Sequence, residues 1–530
     1  MTGVSTHNSK STATHIRDVV RPWAALSPDR IALTEATGAW SYAELDAVIL
    51  ETEAWLRGSG VRAGDRVMIV GENCRTFAAL LLAIAAIDAW PVPVNAHLSG
   101  REVDAIRDHC EARCVLYTTA ASPHAAAHAK RHGAVSEAPF NLGPVAIGEL
   151  REHAKAEPVD ANISERVAAL IYTSGSTGLP KGVMLTHRNL LFTAEAAAKI
   201  RSLTPDDRLY GILPMSHVVG LSTLLLGTLL SGATLVVSPR FDPMAARVAL
   251  EKERITIMLG VPSMFVQLLR YAKMKKLESL TFPTLRIISC SGAPLHASVK
   301  SDVERLFGLT LHHGYGITEC APNVAQTRVE ALRSDTSVGQ ALPGVQLEVV
   351  GGDGKTVAEG EVGEVWVRGP NVMKGYYRAP EETAAAINPQ GWYNSRDLGR
   401  MEDGNLFLVG RTKDLIIRNG LNVYPAEVEG VLNAHPGVTQ SAVIGRSLEG
   451  DEEVIAFVQP AADVQREARD LAEYAAEHLA PYKRPSRFVL LSAMPLTASG
   501  KIAKIELTKL AAAISSNPTY ETAKAGPQSA

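Results

Sequence analysis

At 530 residues, with 46% apolar and 21% charged residues, the chain has the composition of a globular protein long enough for two or more domains. A formal net charge of -3 gives no general attraction to nucleic acid or anionic membranes, and an aromatic share of 5% without a basic, aromatic-studded stretch argues against a base-stacking surface. Five cysteines (Cys74, Cys110, Cys114, Cys290 and Cys320) are odd in number and match no zinc spacing, so reduced thiols in a cytoplasm are expected.

Residues 1–14 are rich in Ser, Thr and Asn and lack the apolar core of a signal peptide, so they read as a disordered lead-in. From residue 15 to 165 helices and strands alternate. Ser41 and Glu44 form a capping box ahead of an apolar-periodic helix. Residues 66–70 read as a strand, 77–87 as an Ala/Leu-rich buried helix, and 91–95 as an extended segment. This alternation predicts α/β layers with parallel strands. The stretch 118–165 carries a weaker signal and is expected to include surface loops.

An apolar run, residues 167–171, then reads as a short buried strand. It feeds Thr173-Ser174-Gly175-Ser176-Thr177-Gly178-Leu179-Pro180-Lys181-Gly182, which holds three Gly, four hydroxyl side chains and one Lys within ten residues. Glycines let backbone N–H groups converge, hydroxyls add donors and Lys adds a mobile positive charge, a combination suited to phosphate oxygens. A plain surface turn rarely needs all of these. The loop is not a Walker A, because Pro180 stands where that motif needs its second glycine. Thr186 is expected to cap a helix over 187–200.

Residues 218–237 run for about 20 residues without a charge, long enough to cross a bilayer. Gly220, Gly227, Gly232 and five Ser or Thr argue instead for a buried helix, a turn at 231–233 and a strand over 234–237. From 337 to 409 short strands separated by Gly-rich turns suggest a small β-barrel or sheet. A boundary is expected near residue 410. It leaves an N-terminal domain of 15–410 and a C-terminal α+β domain of 411–514, with a helix over 425–434, strands near 438–444 and 453–458, and a helix near 464–479. Residues 515–530 read as a disordered tail.

Four further segments carry polar groups in a fixed order: Gly314-Tyr315-Gly316-Ile317-Thr318-Glu319, Trp392 to Asp397, Gly410-Arg411-Thr412-Lys413-Asp414, and Pro495 to Lys501. Each alone reads as an ordinary turn. Together with the loop at 173–182, and in this order, they resemble the adenylate-forming superfamily of acyl- and aryl-CoA ligases, peptide-synthetase adenylation domains and firefly luciferase, over about residues 20–510.

That resemblance implies a large α/β body with a small mobile C-terminal domain. It implies that a carboxylic acid attacks the α-phosphorus of ATP, pyrophosphate leaves, and a thiol, usually of CoA, displaces AMP. Residues 173–178 and Lys181 would hold the β- and γ-phosphates. Thr318 and Glu319 match positions at the α-phosphate and Mg²⁺, with Glu319 the metal ligand. Asp397 would bind the ribose hydroxyls and Arg411 the ribose or phosphate. Gly292-Ala293-Pro294 and Gly314-Tyr315-Gly316 would frame the nucleotide. Lys501 matches the catalytic lysine and His217 a histidine at the mouth of the acyl pocket. Lys413 matches the hinge, and Gly420 and Leu421 the face that meets CoA. Two residues depart from the family pattern: Ser216, where an aromatic is usual, and Arg396, where Gly is usual. The mostly small, apolar residues expected around the pocket favour an uncharged hydrophobic acid, fatty or aromatic. An enzyme that loads a separate carrier protein, a luciferase-like oxygenase and a non-catalytic nucleotide-binding relative are the rival readings.

Overall fold

The computed structural model describes residues 13–137, 139–174, 180–418, 421–448, 451–461, 468–497, 501–514 and 522–524. Twelve of the lead-in residues, and all of the tail except 522–524, lie outside that set. The chain forms two compact units. The first takes Met1–Met258, Gly316–Asn323 and Gly369–Ala385, and the second Leu259–Tyr315, Val324–Arg368 and Ala386–Ala530.

In the first unit, strand Arg66–Gly71 lies parallel to Trp90–Asn95 on one side and Cys114–Tyr117 on the other. All three are buried almost throughout, as a sheet covered on both faces requires. Two short antiparallel strands, Val145–Ile147 and Val135–Glu137, extend this sheet within the stretch of weak sequence signal. Helix Arg75–Ala86 buries every residue from Phe77 to Ala85, and the Sγ of Cys74 accepts its Phe77 N–H. The capping box at Ser41 and Glu44 opens helix Tyr42–Gly58, and Thr186 with Asn189 forms another ahead of His187–Ile200. All five cysteines are buried and none is joined in a disulfide, Cys320 included.

The apolar stretch folds inside this unit as a π-helical run Val219–Leu226, a helical turn Gly227–Leu230 and strand Thr234–Val237. That strand sits in the parallel row formed with Arg208–Gly211 and Ile31–Glu35. No helix among the described residues is long and apolar enough to cross a membrane.

In the second unit, Ile287–Ser291 and Leu311–Gly316 run parallel. Residues 346–411 form a four-stranded antiparallel sheet in the order Gln346–Val350, Gly363–Arg368, Tyr393–Glu402, Asn405–Arg411. The region expected as a small barrel or sheet is therefore an open sheet of four strands.

Beyond it, Val438–Leu448, Asp451–Pro460 and Arg487–Leu490 make a second sheet. Strand alternation puts Val454, Ala456 and Val458 on one face against Leu432 and Leu471. Ile455 and Phe457 face the other way, against Leu507 and Ala511. Both faces are covered, by helices Pro425–Asn433 and Ala468–His478 on one side and Lys504–Ile514 on the other. Within the stretch expected to be a disordered tail, Thr522–Lys524 adds an edge strand antiparallel to Arg487–Val489.

Candidate active site

The glycine- and hydroxyl-rich loop joins two strands, Val167–Ser174 and Pro180–Thr186, that pair antiparallel with Thr173 opposite Lys181 and Ser174 opposite Pro180. A strand follows the loop where a Walker A would open a helix. Gly175, Ser176, Thr177 and Gly178 lie outside the described residues, as does the side chain of Ser174. Gly182, opposite Tyr172, is hemmed in: a Cβ there would stand 3.0 Å from Leu170 and 3.3 Å from Tyr172 and Tyr377.

Strand Gly375–Tyr376 pairs with Val183 and Met184 on the far edge of this hairpin. It brings a group that was not singled out in the sequence. The Tyr376 hydroxyl donates to Oε1 of Glu319 at 2.9 Å. The Lys181 ammonium lies 5.3 Å from the centre of the Tyr376 ring and pairs with Glu382. Glu319 itself sits, with Thr318, on a single 3₁₀ turn, Thr318–Cys320, whose Glu319 carbonyl accepts from the Met373 N–H at 2.8 Å. Gly316 leads into that turn, and a Cβ on it would meet the Pro322 carbonyl oxygen at 2.7 Å. The first unit thus brings Lys181 and Glu319 to Tyr376 and sets Thr173 opposite Lys181 on the neighbouring strand.

His217 ends a turn in the same unit, with its N–H donating to the Pro214 carbonyl at 2.9 Å and its own carbonyl accepting from Leu221. Buried Asn73 fixes this turn: it donates to the Leu213 carbonyl at 3.0 Å and accepts from the Met215 N–H at 2.7 Å. Ser216 is buried.

In the second unit Asp397, only 4% exposed, is held from both sides. The Tyr315 hydroxyl donates to Oδ2, and the Arg411 Nε–H donates to Oδ1 at 2.8 Å. Asp397 and Arg411 are direct partners across the hairpin closed by Asp403-Gly404. Asp397 in turn raises the pKa of Arg411.

Lys501 belongs to the same group. Thr497 closes the turn that carries it, donating its N–H to the Lys501 carbonyl at 2.7 Å and accepting the Lys501 N–H on Oγ1 at 3.2 Å. Its Nζ lies 3.9 Å, and its Cε 3.5 Å, from the point where a Cβ on Gly292 would stand. Gly292 has φ +84°, a left-handed conformation that glycine takes freely, and any side chain there would push on Lys501. Lys501 is exposed over much of its length, yet protein crowds its ammonium. That desolvation lowers its pKa, Arg411 lowers it further, and Asp397 opposes both. Ala293 and Pro294 follow Gly292, whose preceding strand pairs Ser291 with Gly314.

Lys413 is exposed on the 3₁₀ turn Thr412–Asp414, directly after Arg411. Leu421, 49% exposed, starts strand Leu421–Val423, while Gly420 lies outside the described residues. Arg396 stands at φ +59°, where a glycine would be unstrained. Its guanidinium reaches Glu364 at 3.4 Å, and Glu364 also accepts from Asn394 and from the Thr412 hydroxyl at 2.9 Å.

The family model described as AMP-binding enzyme matches residues 20–377, and that of the AMP-binding enzyme C-terminal domain matches residues 427–501. A feruloyl-CoA synthase from an Amycolatopsis species is 36% identical over 491 residues, which are 92% of this chain and 97% of that one. An indoleacetate–CoA ligase of Aromatoleum aromaticum is 33% identical over 497 residues, covering 92% of this chain and 96% of that one. The ATP-bound crystal structure of MatB from Rhodopseudomonas palustris superposes with a TM-score of 0.82 at 29% identity, over 94% of this chain and 99% of that one. The chain belongs to the AMP-binding enzyme family.

Proposed function

We propose that the chain is an ATP-dependent acid–CoA ligase that joins a hydrophobic carboxylic acid to AMP, releases pyrophosphate, and passes the acyl group to CoA. The observation that carries this reading is the group Tyr315, Asp397, Arg411 and Lys501 in the second unit. A buried carboxylate held by a phenol and a guanidinium is suited to grip a ribose diol. An ammonium of lowered pKa beside it is suited to bring two anions together.

In the first half-reaction Lys501 would bridge the acid's carboxylate and the α-phosphate as they approach. Both are negative, so most of the rate must come from positioning and positive charge. Lys181 and the loop would hold the β- and γ-phosphates. Thr318 would donate at the α-phosphate. Asp397 and Arg411 would fix the ribose, with Gly292-Ala293-Pro294 and Gly314 to Gly316 framing the base.

Mg²⁺ fits the Glu319 position. Its carboxylate accepts a hydrogen bond from Tyr376 and supplies the hard oxygen donor that such a cation takes. A cation held by one carboxylate and substrate phosphates has this character. When bound, it would neutralise phosphate charge.

Lys413 would act as the pivot about which residues 411–514 turn for the second half-reaction, bringing Gly420 and Leu421 to CoA. Five buried cysteines outside any disulfide support a reducing compartment, the cytoplasm.

For the acid we favour an aromatic carboxylate, because the two relatives cited are named for feruloyl and indoleacetate substrates. Pyrophosphate release should be screened with ATP, Mg²⁺ and CoA across arylpropenoic, arylacetic and fatty acids. Turnover with aromatic acids, and an acyl-CoA product, is expected. Turnover confined to long-chain acids overturns the aromatic assignment. Adenylation without any transfer to free CoA would favour a carrier protein as acceptor.

A further inference from the structure

The pairing of Lys181 with Glu382 gives the phosphate loop a competitor. Glu382 stands on helix Pro380–Ala386, a segment that no motif in the sequence marked. The helix is tied to the strand beside Lys181 by a short, rigid route. The Tyr376 N–H donates to Thr383 Oγ1 at 2.9 Å, and that hydroxyl donates to the Ala379 carbonyl at 2.9 Å. Gly375, at φ +148°, makes the approach possible: a Cβ there would lie 2.8 Å from Thr383. Strand Gly375–Tyr376 pairs with residues 183–184, two and three positions after Lys181 on the same strand. The carboxylate is therefore held in register with the ammonium. The Tyr376 ring lies on the ammonium's other contact, and its hydroxyl is spent on Glu319.

We propose that Glu382 is an exchange partner for Lys181, holding the ammonium in the nucleotide-free enzyme and reclaiming it as pyrophosphate leaves. The proposal rests on the reading of Lys181 as a phosphate ligand. ATP carries more negative charge at its β- and γ-phosphates than one carboxylate, so it wins the ammonium on binding. Once pyrophosphate is free to depart, Glu382 competes for Lys181 and lowers the cost of letting it go. Binding of ATP is weakened by the pair and release of pyrophosphate is helped. Lys181 is 29% exposed and Glu382 49%, so the pair is solvent-screened and its weight is modest, about threefold in an equilibrium constant.

The test uses Glu382→Gln, which removes the charge and keeps the shape. KM for ATP and the inhibition constant for inorganic pyrophosphate should both fall by about threefold, with KM for CoA unchanged. Glu382→Asp, which keeps the charge, should return both toward the parent values. If Lys181→Ala raises both constants while Glu382→Gln moves neither, or raises them, the exchange role is overturned and Lys181 stands as a phosphate ligand. If Lys181→Ala moves neither constant, the phosphate assignment of Lys181 falls, and the exchange role with it.

Discussion

Asp397 and Arg411 face each other across an antiparallel ladder, and the Arg411 Nε–H donates to Asp397 Oδ1 at 2.8 Å while the Tyr315 hydroxyl occupies Oδ2. The carboxylate is buried, so its geometry is fixed before any ribose arrives. Asp397→Asn keeps the shape but replaces an acceptor-only group by one that is half donor. One of the three interactions, with Tyr315, Arg411 or the diol, must then be lost. The expected cost is about 2 kcal/mol of nucleotide binding, a rise in KM for ATP of roughly thirtyfold. Initial-rate kinetics of pyrophosphate release at varied ATP measures it, and an unchanged KM removes Asp397 from the ribose site.

If Lys501 serves adenylation as a cation, as proposed, its lowered pKa sets an alkaline limit below that of an ordinary lysine: the rate is full below that pKa and falls as pH rises through it. Arg411 lowers that pKa and Asp397 raises it. Arg411→Ala should move the alkaline limb to higher pH, and Asp397→Asn to lower pH. Lys501→Arg should abolish the limb over the accessible range, whatever its effect on the maximal rate. Single-turnover pyrophosphate release against pH decides this. Lys501→Ala should nearly abolish adenylation while affecting thioester formation from a supplied acyl adenylate far less.

Much of this was legible in the chain. The helices opened by Ser41 and Thr186 start where their caps stand, because a cap is a local signal. Strand Arg66–Gly71 and helix Pro425–Asn433 follow from local hydrophobicity and Pro placement. The motif residues Lys181, Glu319, Asp397, Arg411 and Lys501 were marked by their order along the chain. What joins them was not. Tyr376 and Glu382 meet Lys181 across about 200 residues of sequence, and no periodicity reports such a contact. Asn73 reaches the His217 turn from a separation of 142 residues. Asp403-Gly404 is a turn signal for the hairpin, but it would pair Asp397 with Gly410; the register shift between Leu398 and Gly399 sets Asp397 opposite Arg411, and no turn signal reports that shift. Arg396 stands on a left-handed backbone, which explains why glycine is usual at this position; nothing in the structure explains why arginine replaces it.

Arg396 offers a clean measurement of that strain. Its side chain is 64% exposed, so its pair with Glu364 contributes little to folding. Arg396→Gly and Arg396→Ala both remove the pair, but only glycine relieves the positive φ. The glycine variant should exceed the alanine variant by about 1 kcal/mol in unfolding free energy, read from denaturant midpoints at equal slope. The same two variants test the hinge. Burial pushes the Glu364 carboxyl up, but hydrogen bonds from Asn394 and Thr412 and the charge of Arg396 hold it below the usual range. Losing Arg396 weakens that anchor on Thr412, so any change in rate should fall on thioester formation and leave adenylation intact.

Gly220 sets the geometry of the turn that carries His217, the residue proposed at the mouth of the acyl pocket. A Cβ on Gly220 would stand 2.1 Å from the Pro214 carbonyl oxygen and 2.7 Å from that of Leu213. These are backbone atoms of the turn that Asn73 already pins through Leu213 and Met215, so they have little room to yield. Gly220→Ala must shift the turn and carry His217 with it. The expected loss is about 1–3 kcal/mol of stability. KM for the acid should rise while KM for ATP stays near the parent value, because the displaced turn is anchored to Asn73 and not to Lys181 or Glu319. Calorimetric unfolding and paired KM determinations separate the two effects. Equal rises in both constants would instead mean that the turn supports the phosphate group, and that His217 has no special part in holding the acid.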